Sequence, residues 1–172
     1  MITAVVHVSE AEAPGAIEAL ADSLSALVAG VAAGVVGDAV IVAGDPTDRD
    51  LALVADRTGA ALVARGRNPW VAAAAVARRP WLLCLEAGDV PAEGWIRTLD
   101  RFAGTAAPDT VVGRLRRAHA PLRARLAAQW EALAGTRRVR AGDVVRREAL
   151  ASGLPFRAPK RVRRLNGVLV RE

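Results

Sequence analysis

The chain has 172 residues, of which 52% are hydrophobic, 3% aromatic and 24% charged. This length suits one domain with a buried core, which must consist largely of Ala, Val and Leu. One cysteine excludes an internal disulfide and favours a reducing compartment. The longest uncharged segment, 23–37, is too short to span a bilayer. The first apolar stretch lacks a preceding basic segment, so we expect no secretory signal and a cytoplasmic protein.

The charge is distributed unevenly along the chain. Residues 1–110 carry 8 basic and 14 acidic side chains, whereas residues 111–172 carry 16 basic and 4 acidic ones. A basic C-terminal third suggests a surface that faces the phosphate groups of a lipid, a nucleotide or a nucleic acid. A solvated, arginine-rich face with no partner is an equally good interpretation.

Apolar strands and helices alternate over residues 3–85. The predicted strands are 3–8, 39–43, 61–64 and 81–85. The predicted helices are 13–29, a second one capped by Thr47 or Asp48 and ending near residue 58, and 69–77. Short apolar strands between helices imply a parallel sheet covered on both faces, so the pattern predicts an α/β fold built from βαβ units.

The pattern is less regular beyond Gly94. It predicts a helix over 95–103, a strand over 111–115 and an amphipathic helix over 120–133. The remainder is basic and irregular, with a strand over 139–145 and a helical turn over 146–151. No repeat or low-complexity linker divides the chain, so we expect a single domain. Cys84 lies in an apolar strand, which indicates a buried, inert thiol.

Three short motifs follow one another in the first two thirds of the chain. Strand 40–43 leads into Gly-Asp-Pro-Thr-Asp at 44–48, and Arg-Gly-Arg-Asn at 65–68 precedes an Ala-rich helix. Strand 83–85 leads into Glu-Ala-Gly-Asp at 86–89, which is followed by a proline and by Gly-Trp at 94–95. The residues, order and spacing of these three motifs together resemble those of family 2 glycosyltransferases.

The resemblance implies a GT-A fold, a mostly parallel α/β sheet with helices on both faces. In that fold the ends of successive strands hold the base, ribose and diphosphate of a nucleotide-diphosphate sugar, and open α/β sheets bind ligands at this edge in general. Residues 1–104 would form the nucleotide-sugar-binding half and residues 105–172 a basic part facing the acceptor or a partner. The residues predicted to bind the nucleotide sugar are Ser9, Glu10, Gly44, Asp45, Arg67 and Asn68. Among them, Arg67 is the predicted phosphate or base contact, because a guanidinium offers paired donors to oxyanions.

The resemblance also implies a divalent cation, Mg²⁺ or Mn²⁺, that bridges the diphosphate. The family's Asp-x-Asp motif corresponds to 86–89, where glycine replaces the second aspartate and the third is kept. Hard cations take oxygen ligands, and one or two carboxylates with phosphate oxygens suffice, so Glu86 and Asp89 are the predicted metal ligands. The alternative is two strand-end carboxylates in solvent. Ala43 stands at or next to the place of the family's base-contacting aspartate.

The chain departs from the family pattern at the catalytic base. Residues 142–148 resemble a segment that precedes the catalytic Glu-Asp pair in some small family members, but 153–161 contains no acid. Arginine cannot accept a proton at neutral pH. Asp143 is the nearest carboxylate able to act as the base, and a structural turn or cap role is its favoured alternative.

Three functions remain open on the sequence. The chain is either a glycosyltransferase, a catalytically inactive relative that binds a nucleotide or a protein, or a basic module peripheral to the inner membrane or on nucleic acid. No recognition helix or aromatic-interleaved basic motif indicates specific nucleic-acid binding. With His7 in a strand and His119 in a basic stretch, zinc catalysis is not expected. The arginines predicted to form one positive face, toward an anionic membrane or a lipid-linked acceptor, are Arg114, Arg116, Arg117, Arg123, Arg137, Arg138, Arg161, Arg163 and Arg164.

Overall fold

The computed structural model describes residues 1–11, 13–118, 136–152 and 162–171, and in these ranges a single mixed sheet is covered by helices. The strands are Ile2–Val8 (β1), Val36–Ala43 (β2), Ala61–Ala64 (β3), Trp81–Glu86 (β4), Asp89–Pro91 (β5), Val112–Arg117 (β6), Asp143–Arg146 (β7) and Arg163–Arg171 (β8). The helices are Ala16–Ala32 (α1), Arg49–Thr58 (α2), Pro69–Val76 (α3), Trp95–Thr105 (α4) and Arg147–Ala151 (α5).

The strand order is β3-β2-β1-β4-β7-β6-β8-β5. The first four strands are parallel to one another, which confirms the α/β fold predicted from the alternating pattern. The second half of the sheet is mixed, because β4–β7, β7–β6 and β8–β5 are antiparallel pairs and β6–β8 is a parallel pair. Strand β1 is buried along its whole length and lies between β2 and β4.

Helices cover both faces of the sheet, as the apolar strands predict. One face packs against α1, α2 and α4 through buried leucines, and the other packs against α3 and α5. The helix residues in the first core are Leu20, Leu27, Leu51, Ala55, Trp95, Leu99 and Phe102, and those in the second are Trp70, Ala73, Ala74 and Leu150. Cys84 lies in the second core, and burial raises the pKa of its thiol, which agrees with an inert thiol.

Local signals fix the ends of α2 and α3. The Asp48 side chain accepts hydrogen bonds from the amides of Asp50 and Leu51, and Gly59 ends α2 with φ of 68°. The Asn68 side chain accepts a hydrogen bond from the Trp70 amide, and Pro69 occupies the first position of α3. Both helices therefore begin where the sequence predicts.

Helix α1 continues past the glycine that was predicted to end it. Gly30 lies within α1 at a point where the helix packs closely on α4, and any side chain at this position would overlap the ring of Trp95. Strands β5 and β8 were not predicted. The predicted helix 120–133 and segment 153–161, with Arg123 and Arg161, lie outside the described residues. None of the helices within the described ranges is long and apolar enough to cross a membrane.

Candidate functional site

Loops from five strands meet at one edge of the sheet. The parallel strands β1 to β4 all end at this edge, since His7 is in register with Glu86 and Ala43 is in register with Ala64. The antiparallel strand β7 begins at the same edge, where the Gly142 amide donates to the Cys84 carbonyl oxygen at 2.7 Å. The strand order reverses here, because the chain runs from β1 outward to β2 and β3 and then returns to β4 on the other side of β1. Open α/β sheets bind ligands at such a point.

A cavity of about 440 Å³ opens at this edge, large enough for a small ligand. Its walls come from the ends of β1, β4 and β6, the start of α3 and the loop before β7. The lining residues are His7, Pro69, Trp70, Glu86, Arg117, Arg140 and Ala141. We call it the switch-point pocket. Its chemistry, one aromatic plane with cationic and carboxylate groups, suits a polar, anionic ligand.

His7 contributes a buried imidazole to the switch-point pocket. The residue is 8% exposed, its ring meets the Trp70 ring edge-on at 5.8 Å, and its Nε2 has no hydrogen-bond partner among the described residues. Burial lowers the pKa of His7, Glu86 partly offsets this, and Arg65 adds to the lowering. Because a buried polar atom without a partner is costly, Nε2 is a candidate contact for a ligand or a water molecule.

Four charged side chains beside the pocket form the acid–arginine cluster, which consists of Glu86, Asp89, Arg117 and Arg171. Nη2 of Arg117 lies 2.8 and 3.1 Å from the two carboxylate oxygens of Asp89. Nη1 of Arg171 donates to Oε2 of Glu86 at 2.8 Å. Nη2 of Arg117 also lies 3.9 Å from the same Glu86 oxygen, so the four groups form one network.

The turn between β4 and β5 positions the two carboxylates. Gly88 has φ of 89°, in the left-handed region, and its amide donates to Oγ of Ser23 at 2.9 Å. The Glu86 amide donates to Oδ2 of Asp89 at 2.9 Å and closes the turn. The glycine that replaces the second aspartate of the family motif therefore has a backbone role here, and it anchors the turn on α1.

Asp89 is buried, with a side-chain exposure of 1%. Burial raises the pKa of its carboxyl group, whereas the Glu86 amide and Arg117 oppose the rise. The short contacts with Arg117 are those of an ionised pair. The alternative of two carboxylates in solvent does not describe this arrangement. Within the described ranges, no group of three or more His, Cys, Asp or Glu side chains is arranged to hold a metal ion.

Asp143, the predicted catalytic base, lies at the start of β7 and has no exposed surface. Its carboxylate accepts hydrogen bonds from Nε and Nη2 of Arg114, at 2.6 and 2.9 Å, and from the Arg140 amide at 3.0 Å. Burial raises the pKa of Asp143, and Arg114 opposes this. The geometry favours the structural alternative for this residue, and its catalytic role stays a prediction.

The residues predicted to bind the nucleotide lie along the same edge but outside the switch-point pocket. All six are exposed and follow β1, β2 and β3: Ser9, Glu10, Gly44, Asp45, Arg67 and Asn68. Asp45 accepts hydrogen bonds from the amide and hydroxyl of Thr47 at 2.8 and 2.7 Å, which lowers its pKa. Asn68 is the cap of α3. Glu86 is the predicted site residue that also lines the pocket.

Several arginines of the basic third, exposed ones among them, also contact the body of the protein. Arg114 pairs with Asp143, Arg117 pairs with Asp89, and the guanidinium of Arg163 lies 5.8 Å from the centre of the Phe102 ring. The exposed members of the predicted positive face are Arg116, Arg117, Arg137, Arg138, Arg163 and Arg164. Arg117 therefore neutralises an acid of the first two thirds, and Arg114 neutralises an acid of the basic third itself.

Sequence reasoning did not assign His7, Arg140 or Arg171 to the site, and it treated Arg117 only as surface charge. His7 carries a usable signal, because it is a polar side chain near the end of an otherwise apolar strand. The arginines carry no such signal, since β6, the loop before β7 and β8 are far along the chain from Glu86. Only the sheet topology brings them to the pocket.

Comparison of the sequence with protein-family models and with curated proteins gives no match. The fold, in contrast, is similar to solved structures. Glucosyl-3-phosphoglycerate synthase from Mycobacterium tuberculosis, solved with Mn²⁺ and UDP-glucose, is 21% identical with a TM-score of 0.56, and the match covers 93% of this chain and 60% of that one. The same enzyme with phosphoglyceric acid gives 20% identity, a TM-score of 0.56, and coverage of 87% and 57%.

TarS residues 1–349 from S. aureus is 12% identical, with a TM-score of 0.56 and coverage of 88% of this chain and 48% of that chain. These neighbours are glycosyltransferases of the GT-A type. The chain spans little more than half the length of the synthase and about half that of the TarS fragment. At this level of identity the likeness shows the fold, and the fold of this chain is GT-A-like.

Proposed function

We propose that this chain is a family 2-like glycosyltransferase that binds a nucleotide-diphosphate sugar at the carboxyl edge of its sheet and transfers the sugar to an acceptor. The observation that carries the proposal is the switch-point pocket, a cavity with arginine side chains at the ligand-binding edge of a GT-A-like sheet. The solved synthase that is similar in fold binds UDP-glucose at a site of its own, which supports the choice of ligand class.

The proposed ligand lies along the edge in two parts. The nucleoside lies over the ends of β1 to β3, near Ser9, Asp45 and Arg67, where exposed side chains and backbone amides are within reach of a base and a ribose. The diphosphate and the sugar reach the switch-point pocket, which Arg117 and His7 both line. In this proposal residues 1–104 form most of the nucleotide-sugar site, and residues 105–172 complete the pocket and face the acceptor.

The chemical contribution of the pocket is stabilisation of the leaving group. When the bond between the anomeric carbon and the diphosphate breaks, negative charge develops on the phosphate oxygens. Fixed guanidinium groups stabilise that charge without reorganisation. Arg117 is held in position by its ion pair with Asp89, so it is a preorganised donor.

A second candidate function is a catalytically inactive relative that binds the same nucleotide. The observation that favours it is the state of Asp143, whose carboxylate is buried and held by Arg114, so that it has no access to an acceptor hydroxyl group. The two candidates share the ligand and differ in turnover alone. Hydrolysis or transfer of the sugar therefore separates them, and binding does not.

A divalent cation is supported by the solved synthase structures that contain Mn²⁺ with UDP-glucose or UDP. In this chain Glu86 and Asp89 are the carboxylates at the corresponding turn. Asp89 is buried with its oxygens bound to Arg117 and to a backbone amide, and Glu86 is bound to Arg171. A cation that bound both carboxylates would have to displace the guanidinium of Arg117 from Asp89 and would lie beside that of Arg171, so the residues in this arrangement do not fit one.

Isothermal titration calorimetry with UDP, GDP and UDP-glucose at low salt tests the binding proposal. We expect heat from at least one of them, and binding about tenfold weaker after Arg67→Ala, which removes a charge-assisted contact. Arg97→Ala, which removes an exposed arginine on α4, is the matched control and should leave the affinity unchanged. No heat from any of the three nucleotides, with or without Mn²⁺, would contradict the proposal.

A further inference from the structure

We propose that the guanidinium groups of Arg117 and Arg171 take the place of a divalent cation beside Glu86 and Asp89 and bind the phosphate groups of the ligand directly. The exclusion of the cation follows from the contacts and charges within the acid–arginine cluster alone. The direct contact with phosphate rests on the proposed function. Nucleotide binding at this site would then need no Mg²⁺ or Mn²⁺.

The surroundings of Asp89 leave no room for a cation among its oxygens. One oxygen lies 2.8 Å from Nη2 of Arg117 and 2.9 Å from the Glu86 amide, and the other lies 3.1 Å from the same Nη2. The carboxylate is 1% exposed. To reach it, a cation would have to break a buried ion pair and leave a guanidinium without its counter-ion, which is strongly unfavourable.

Glu86 is more accessible, but its charge is also neutralised. Its side chain is 33% exposed, and Oε2 accepts the hydrogen bond from Arg171 and faces Arg117 at 3.9 Å. A cation bound at Glu86 alone would lie between two guanidinium groups. Coulomb repulsion from both opposes its binding.

The charges within the cluster already balance. Two carboxylates are matched by two guanidinium groups, as they would be matched by one divalent cation in a metal site. The cluster therefore binds an anion only if the arginines can also contact it. The side chains of Arg117 and Arg171 are 37% and 51% exposed, and a guanidinium has five N–H donors, more than these contacts with Asp89 and Glu86 use.

Binding of Mn²⁺ alone, followed by electron paramagnetic resonance, tests the first half of the proposal without a nucleotide. We expect no specific binding by the wild-type protein. Arg171→Ala should expose Glu86, remove one repelling charge and strengthen Mn²⁺ binding by about tenfold or more. Arg164→Ala, which removes an exposed arginine of the same strand β8, should behave as the wild type.

Titration of UDP in EDTA and in Mn²⁺ tests the second half. We expect the two dissociation constants to agree within about threefold and Arg171→Ala to weaken binding in EDTA by about tenfold. Stoichiometric binding of Mn²⁺ by the wild type, UDP binding that disappears in EDTA, or an Arg171→Ala protein that gains no Mn²⁺ affinity would each overturn the proposal. If UDP binds in neither buffer, the proposed function fails, and the Mn²⁺ titration still decides whether the arginines exclude the cation.

Discussion

Arg114 and Asp143 face each other across the antiparallel pair β6–β7 and form a two-point ion pair, with Nε and Nη2 of Arg114 at 2.6 and 2.9 Å from the two carboxylate oxygens. The pair lies close to the edge that carries the switch-point pocket. The carboxylate also accepts the hydrogen bond of the Arg140 amide, and Arg140 lines the pocket. The pair therefore holds the loop before β7 in the position that shapes the pocket.

The structural role of Asp143 predicts a loss of stability when its charge is removed. Asp143→Asn removes the carboxylate charge that pairs with the largely buried guanidinium of Arg114, and we expect the free energy of unfolding to fall by about 3 kcal/mol. Urea unfolding followed by circular dichroism measures the change.

The matched control is Asp100→Asn, at an exposed position on α4, which should change the stability by no more than about 0.5 kcal/mol. If Asp143 were instead the catalytic base, Asp143→Asn would abolish sugar transfer and leave the stability near that of the wild type. That result would restore the role predicted from the sequence and remove the structural one.

The buried imidazole of His7 predicts a dependence of stability on pH. Burial lowers the pKa of His7 from 6.5, so between that value and the lowered pKa the unfolded chain binds a proton that the folded chain does not. This contribution to stability is present above pH 6.5 and is lost as the pH falls through this window. Its slope is at most about 1.4 kcal/mol per pH unit.

The measurement is the free energy of unfolding between pH 7.5 and pH 5 for the wild type and for His7→Gln, which cannot titrate. We expect a shallower decline in the variant. The groups that act on His7 electrostatically, Glu86 and Arg65, remain in both proteins, so the difference between the two curves isolates the imidazole. Identical curves would mean that His7 keeps an ordinary pKa in the folded protein.

Helix ends that are set by a neighbouring capping residue, proline or glycine could be predicted from the sequence. Helix α2 begins at the Asp48 cap and ends at Gly59, and α3 begins at Asn68 and Pro69. Strand β8 was missed although Leu165, Gly167 and Leu169 alternate with more exposed residues. Glycine weakens a strand pattern, and here it is needed because a side chain at 167 would overlap Leu115.

The candidate site could be predicted only in part, because some of its residues lie far apart in the sequence. The position of Glu86 at the end of β4 follows from the strand pattern, because parallel strands end at one edge. The partners of Glu86 and Asp89 do not follow, because Arg117 and Arg171 reach them through pairings between strands that are far apart in sequence. A motif alone therefore predicts a metal site, and the tertiary structure pairs the same carboxylates with arginines.

The exposed part of the basic third predicts salt-sensitive adsorption to anionic membranes, as expected for a protein with a lipid-linked acceptor. Each exposed arginine near such a surface contributes about 1 kcal/mol. The Arg137→Glu/Arg138→Glu protein should lose most of its co-sedimentation with anionic vesicles at low salt, and Arg97→Glu on α4 should lose little. Binding that is equal for neutral and anionic vesicles would mean that these arginines are only solvated surface.

The central claim, that the switch-point pocket receives a nucleotide-diphosphate sugar, is tested most directly by titrating UDP-glucose while recording the indole N–H signals of the four tryptophans by NMR. Trp70 lines the pocket, whereas Trp81 and Trp95 are buried in the core on the opposite face of the sheet. Trp70→Phe assigns the signal. We predict a saturable shift of the Trp70 signal with the Trp95 signal unchanged. No shift at saturating ligand, or a shift of Trp95 without Trp70, would contradict the claim.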